Sequence, residues 1–292
     1  MKKFIKSILL LPLRLASTYA RFLSSRWPSA GFAWMDMAYP QIRDAVTRVT
    51  HRKGETEVAM SFHTPNAMCR YRADTFSTKE PETLEWIDKF GSSGAFFDIG
   101  ANVGIYSVYY AMTHPGTVYA FEPSVLNLGL LAKNISLNGL DMQIVIVPNP
   151  LTSENQVADF HLSMLDEGGS MSTFGAEYGH DGLPLKTKMD YRTMGMSLDF
   201  LLESGIVPEP PAMIKVDVDG IEHLILRGAR STLTSPSLKT VLIEVNDNFH
   251  ELAFEVSGAM TAAGFGLAER RHADMFGSGA FSDTFNQIWL RQ

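Results

Sequence analysis

Cysteine is all but missing from this sequence. Cys69 stands alone, so an intramolecular disulfide framework is excluded and a reducing, cytoplasmic setting fits. There is no internal repeat, no low-complexity tract and no tight His/Cys/Asp spacing of the zinc type. No uninterrupted apolar run approaches the roughly 20 residues that a membrane span requires. Positive charge is in short supply: 25 Lys and Arg face 32 Asp and Glu, for a formal net charge of −7. That balance argues against a broad phosphate-binding surface, so no nucleic-acid partner is expected. What the chain does have is 45% hydrophobic residues over 292 positions. That suffices for one large core, read here as a domain over 60–292 with an extension over 1–59.

Residues 95–123, AFFDIGANVGIYSVYYAMTHPGTVYAFEP, read as a buried parallel strand, a glycine turn, an apolar helix and a second strand ending in an acid. This is half of a nucleoside-binding site, because ligands of open α/β sheets bind at the carboxyl ends of the strands. Gly100 permits the tight bend and Gly104 a close approach of helix and ligand. Glu122 is placed to accept hydrogen bonds from two ribose hydroxyls. A dinucleotide fingerprint needs G-x-G-x-x-G to bare its backbone to a pyrophosphate. The stretch from Asp98 through Asn102 to Gly104 offers only two glycines, four apart. Asp98 suits a cation better than an anion.

This D-x-G-x-x-x-G followed by a strand-end acid resembles the first two motifs of Rossmann-like methyltransferases that use S-adenosylmethionine. Together with SLDFLL (197–202), VPNPLTS (147–153), AMIKVDVDGIEHLILRGA (212–229) and VLIEV (241–245), the pattern resembles the FkbM-type methyltransferases over about residues 60–292. The resemblance implies a class I fold, α/β, with a doubly wound, mostly parallel seven-stranded sheet. It also implies S-adenosylmethionine as cofactor, held by Asp98, Gly100, Asn102, Gly104, Glu122 and Asn149, and a sugar or glycosylated metabolite as acceptor of an O-methyl group. Asp219 departs from the family pattern, which has Glu at that position, and residues 1–59 have no counterpart. Two rival functions remain: a membrane-associated module that binds the cofactor without turnover, and a nicotinamide-dependent oxidoreductase, which the missing third glycine disfavours.

Methyl transfer asks the protein to align an acceptor and sharpen its oxygen. On a strand over 212–218, Met213, Lys215 and Asp217 share one face. A lysine inside a central strand is expensive unless paired or functional, so Asp217 is read as acceptor-positioning group or base and Lys215 as tuning its charge. Asp219 and Glu222 have capping-box spacing; capping is the favoured role for Asp219, while Glu222 stays a candidate at the cleft. Glu244, ending the next strand, is a second candidate carboxylate or an ordinary helix cap. His223 and His250 lack a visible partner, and metal dependence is undecided.

The interval from strand three (143–147) to strand four (from 212) is too long for an ordinary connection. It is read as a hairpin insertion plus a mobile substrate-covering loop. Phe281 to Leu290 is expected as an antiparallel strand and Arg43 to Thr64 as strand or loop. Before the first acid, Asp36, the chain carries Lys2, Lys3, Lys6, Arg14, Arg21 and Arg26. Its −7 therefore divides into +6 for the leader and −13 for the remainder. On a helical wheel Phe4, Ile8, Leu11, Leu15, Tyr19 and Phe22 form one stripe, opposite most of the basic residues. Residues 1–26 therefore read as a helix for the anionic inner face of a membrane or for docking on the chain's own domain. A cleaved signal peptide is the competing reading, against which Arg14 interrupts the apolar stretch.

Overall fold

The computed structural model describes residues 2–27, 40–279 and 281–292. The part of the extension at 28–39 lies outside the described residues. So do the side chains of Phe4, Ile8 and Arg14 in the leader. The leader is a helix, α1 (Lys2–Arg26), with Pro12 inside it. Among the described residues no helix is long and apolar enough to cross a membrane.

A hairpin follows, β1 (Val46–Lys53) with β2 (Thr56–His63), so of the strand or loop expected there the segment forms strand, in two arms. Next come α2 (Ala67–Asp74), α3 (Phe76–Lys79) and α4 (Pro81–Phe90). The central unit is β3 (Ala95–Ile99), α5 (Ile105–Thr113), β4 (Val118–Phe121), α6 (Val125–Leu137) and β5 (Ile144–Val147). The strand, turn, helix and strand expected over 95–123 are all present, and β5 starts one residue later than the expected 143–147. β3 is buried on both faces, which is why its sequence is a continuous apolar run broken only by Asp98.

The insertion holds β6 (Gln156–Leu162), β7 (Ser172–Phe174) and β8 (Met189–Gly195). They form a separate three-stranded antiparallel sheet, one strand more than a hairpin. After α7 (Leu198–Glu203), the core resumes with β9 (Pro211–Val216), α8 (Glu222–Arg227), α9 (Arg230–Thr234), β10 (Thr240–Asn246) and α10 (His250–Ala262). It closes with β11 (Phe265–Arg271), which the sequence reading missed, and β12 (Thr284–Arg291). The last strand starts at Thr284 instead of Phe281.

The main sheet has seven strands in the order β11-β12-β10-β9-β3-β4-β5. β5, β4, β3, β9 and β10 run parallel and β12 runs against its neighbours. Alternation along each strand feeds two cores. Phe96, Met213 and Leu242 pack with α4, α5, α6 and the β1–β2 hairpin. Phe97, Ile214 and Ile243 pack with α7, α8 and α10 on the other face. Strand order reverses between β3 and β9, so a crevice opens at their carboxyl ends, the place where such sheets bind ligands.

Candidate active site

A cavity of about 320 Å³ lies at that switch point, within the roughly 300–1,000 Å³ of small-molecule sites. One end is built by the turn after β3. Gly100 has φ +85°, and a Cβ placed on it would lie 1.8 Å from the Asp217 carbonyl oxygen. Only glycine lets the turn pass so close to the end of β9. Glu122 leaves β4 into the same end. Its Oε2 accepts from the Asn102 amide at 2.7 Å and its Oε1 from the Ser124 amide at 2.7 Å. Each oxygen keeps a lone pair for another donor. Burial pushes the Glu122 carboxyl up to about 7, against the pull of those two amides.

The other end is built by β9, β10 and β12 with α3 and α4. Lys215, almost fully buried, donates from Nζ to Asp217 Oδ2 at 2.7 Å. Its ammonium lies 5.2 Å from the centre of the Tyr106 ring. Burial works against that ammonium, but Asp217, Asp98 and Glu80 hold it charged and raise its pKa. Glu80 pairs with Lys79 and accepts from Tyr106 Oη at 2.9 Å. Burial opposes its ionisation, yet Lys79 and Lys215 bring it down to about 2. Glu244 also lines the cavity. Burial, with the Asp217 and Glu80 charges beside it, pushes its carboxyl well above the ordinary range, toward the protonated form. Asn286, opposite Glu244 in the β10–β12 pairing, donates to Glu82 Oε1 at 2.8 Å and leaves its own Oδ1 buried and unpartnered.

A strap from the insertion crosses the cavity. The Gly169 carbonyl accepts from Asn102 Nδ2 at 2.7 Å and Asn127 Nδ2 at 3.2 Å. The Gly168 carbonyl accepts from Arg72 Nε at 2.7 Å, and the Glu167 carbonyl from Asn66 Nδ2 at 3.0 Å. Asp219 holds the far side, taking the amides of Met171 at 2.6 Å and Ser172 at 3.3 Å. Asp219 thus anchors the strap from a backbone at φ +63° and does not cap α8, whose N-cap is Ile221. This corrects the capping-box reading.

Of the expected site residues, Gly100, Asn102, Glu122, Asn149, Lys215, Asp217 and Glu244 line this one cavity. Asp98, Gly104 and Glu222 are not among its lining residues. Asp98 Oδ2 accepts from Ser107 Oγ at 2.6 Å, while Oδ1 is buried without a partner. Burial raises its pKa, and Lys215, its register partner on β9, opposes the rise. Gly104 brings the start of α5 against Leu131, whose Cδ1 would lie 2.4 Å from an added Cβ. Glu222 Oε1 accepts from the Val218 and Gly220 amides, at 3.2 and 3.3 Å, and so fixes the turn before α8. His223 Nδ1 is buried and unpartnered, and neither His223 nor His250 lines the cavity. Lys79, Glu80, Glu82, Asn127 and Asn286 were not expected; all but Asn127, which follows Glu122 by five residues, come from elements outside the motifs. Among the described residues, no three His, Cys, Asp or Glu side chains come together to hold a metal ion.

A family profile described as Methyltransferase FkbM domain matches residues 98–267, more than half of the chain. The chain belongs to the FkbM methyltransferase family. Its sheet order and crevice are those of the Rossmann-like class I methyltransferase fold. Solved structures similar to this family member include methyltransferase FkbM from Methylobacillus flagellatus, 13% identical over 78% of this chain and 54% of that one, with a TM-score of 0.48. The chain thus spans about half the length of that relative. Fibrillarin from Aeropyrum pernix, solved with natively bound S-adenosyl-L-methionine, is 11% identical over 69% of this chain and 67% of that one, at a TM-score of 0.42. An rRNA methylase from Streptococcus thermophilus is 12% identical over 72% and 94%, at 0.44. No curated protein sequence matches the chain.

Proposed function

We propose that this chain is an S-adenosylmethionine-dependent O-methyltransferase acting on a hydroxyl of a sugar or glycosylated metabolite. The observation that carries the reading is one cavity with a nucleoside-type end, Gly100 and Glu122, joined to a charged end, Lys215, Asp217 and Glu244. The residues present fit the cofactor. Gly100 leaves room that any Cβ would fill, and Glu122 offers two carboxylate oxygens with free lone pairs beside the apolar Pro150 and Leu151. When bound, that cofactor supplies an electrophilic methyl group on a cationic sulfur.

The chain's own part is positioning and charge. Asp217, held by Lys215, accepts the hydrogen bond of the acceptor hydroxyl and takes its proton as the oxygen–methyl bond forms and the methyl–sulfur bond breaks. Glu244, protonated, is a donor that orients a second acceptor oxygen. Carboxyl groups at Glu80, Glu82, Asp217 and Glu244 outnumber the ammonium groups of Lys79 and Lys215 around this end. A neutral polyhydroxyl acceptor suits that balance, and a phosphate backbone does not. The test is incubation with labelled S-adenosylmethionine and a glycan extract, with mass spectrometry of the product. A product methylated on carbon or nitrogen, or none at all, removes the O-methyl reading. Thermal stabilisation by NAD and not by S-adenosylhomocysteine would transfer the chain to the oxidoreductases.

Two further results are expected from Glu122. Replacing it by Ala should weaken S-adenosylhomocysteine by about 1.5–3 kcal/mol, the scale of hydrogen bonds to a charged group, or roughly 10- to 150-fold in Kd. Ribose hydroxyls bind the ionised carboxylate, and burial pushes that carboxyl up to about 7. Affinity should therefore rise as pH climbs from 5.5 and level off above about 7, and Glu122→Gln should flatten the profile. Calorimetry across that range decides both; an unchanged Kd in a folded Glu122→Ala protein rejects the assignment.

A further inference from the structure

The helix α1 leaves large apolar side chains in solvent. Leu11, Leu15, Tyr19 and Phe22 are between 53% and 62% exposed. Their spacings of four, four and three place them on one stripe of the helix. Scattered exposed leucines are ordinary, but four large apolar side chains in register along one face of a helix form a contiguous patch that marks an interaction surface. The inward-leaning residues of the same helix are small or partly covered: Ala16 and Ser17 are intermediate and Ala20 is buried. The exposed stripe is therefore not the face by which the helix docks on its own chain.

Charge selects the occupant. The helix carries six basic residues and no acid, while the rest of the chain carries −13. A second copy of the helix offers these basic residues no counter-charge, since neither copy carries an acid in this segment, so a helix-to-helix dimer gains nothing from them. A bilayer rich in anionic lipid offers both an apolar interior for Leu11, Leu15, Tyr19 and Phe22 and negative headgroups for the lysines and arginines. It also repels the acidic body, so contact would run through the helix alone. Spanning is not an option, since the helix lacks the length of apolar residues that a span needs. We propose that α1 is a peripheral anchor that lies in the surface of an anionic membrane, with its Leu11–Leu15–Tyr19–Phe22 stripe in the acyl region.

The test is flotation of the full chain with vesicles of phosphatidylglycerol and phosphatidylcholine, or of phosphatidylcholine alone. Binding should occur on the anionic vesicles and fall at least tenfold when salt shrinks the Debye length from about 10 Å at 0.1 M to about 3 Å at 1 M. A Leu15→Ser/Tyr19→Ser/Phe22→Ser protein should lose it at least tenfold, with its thermal midpoint and its S-adenosylhomocysteine-induced shift unchanged because those side chains are exposed. Failure to float on either vesicle overturns the proposal, as does equal binding to neutral lipid or undiminished binding by the triple variant. Light scattering that shows a dimer broken by the same three substitutions would assign the stripe to a second copy. A mature chain beginning near residue 21 in cells would make the segment a signal peptide. Either result overturns the anchor.

Discussion

Gly100→Ala is expected to remove cofactor binding and a large part of the stability of the fold. Two causes add. The residue sits at φ +85°, a conformation that costs an L side chain about 1–2 kcal/mol. The new Cβ would also meet the Asp217 carbonyl oxygen at 1.8 Å and the Asp217 carbonyl carbon at 2.9 Å. Both are backbone atoms, so β3 and β9 would have to part at the switch point. A combined loss of at least about 4 kcal/mol follows, against a typical net stability of roughly 5–15 kcal/mol. For a chain of this size that is a fall in Tm of about 8 °C or more. Gly54→Ala is the control: φ is +59° and nothing lies within 4 Å of its Cβ. It should cost about 1 kcal/mol and leave binding intact. Differential scanning with and without S-adenosylhomocysteine reads both variants. If the two behave alike, the close approach of Gly100 to β9 is not what the site depends on.

The same strand end shows what a sequence can and cannot disclose. The β3–α5–β4 unit was legible because its signals are local: an apolar run, two glycines in a turn, a helix and an acid, all within thirty residues. The Lys215–Asp217 pair was legible too, since residues two apart on a strand share a face whatever surrounds them. Glu80 and Asn286 were not, because they reach the cavity through pairings such as Asn286 with Glu82, 204 residues away. The strap was half legible. Its length announced a covering segment, but the side chains that hold it, Asn66, Arg72 and Asn127, stand 101, 96 and 42 residues from their acceptors. Asp219 misled for a physical reason. Its spacing to Glu222 is that of a capping box, yet the Met171 and Ser172 amides, supplied by the insertion, compete for the same carboxylate and win.

Asp217→Asn is expected to lower turnover by about 10²–10⁴-fold, the usual contribution of a positioned proton acceptor, with S-adenosylhomocysteine affinity within about twofold of the parent. Stability confounds this experiment unless Lys215 is treated with it. Lys215 is almost fully buried and donates to Asp217 at 2.7 Å. Removing one partner of such a pair strands the other, at a cost of about 3–5 kcal/mol. Asp98 and Glu80 also act on this ammonium, so the loss should fall toward the lower end. Lys215→Met/Asp217→Asn removes both charges and should regain part of that stability, because the stranded ammonium is gone. Turnover separates the two roles of the carboxylate. If Asp217 only neutralises Lys215, the double variant recovers activity along with its Tm. If Asp217 touches the acceptor, the double variant is as stable as the single or more so, and still turns over at the rate of Asp217→Asn or below. Recovery of activity in the double variant would sink the acceptor role. A tenfold loss of S-adenosylhomocysteine affinity in Asp217→Asn would instead move the carboxylate to the cofactor end of the cavity, where the carbonyl of the same residue already closes over Gly100.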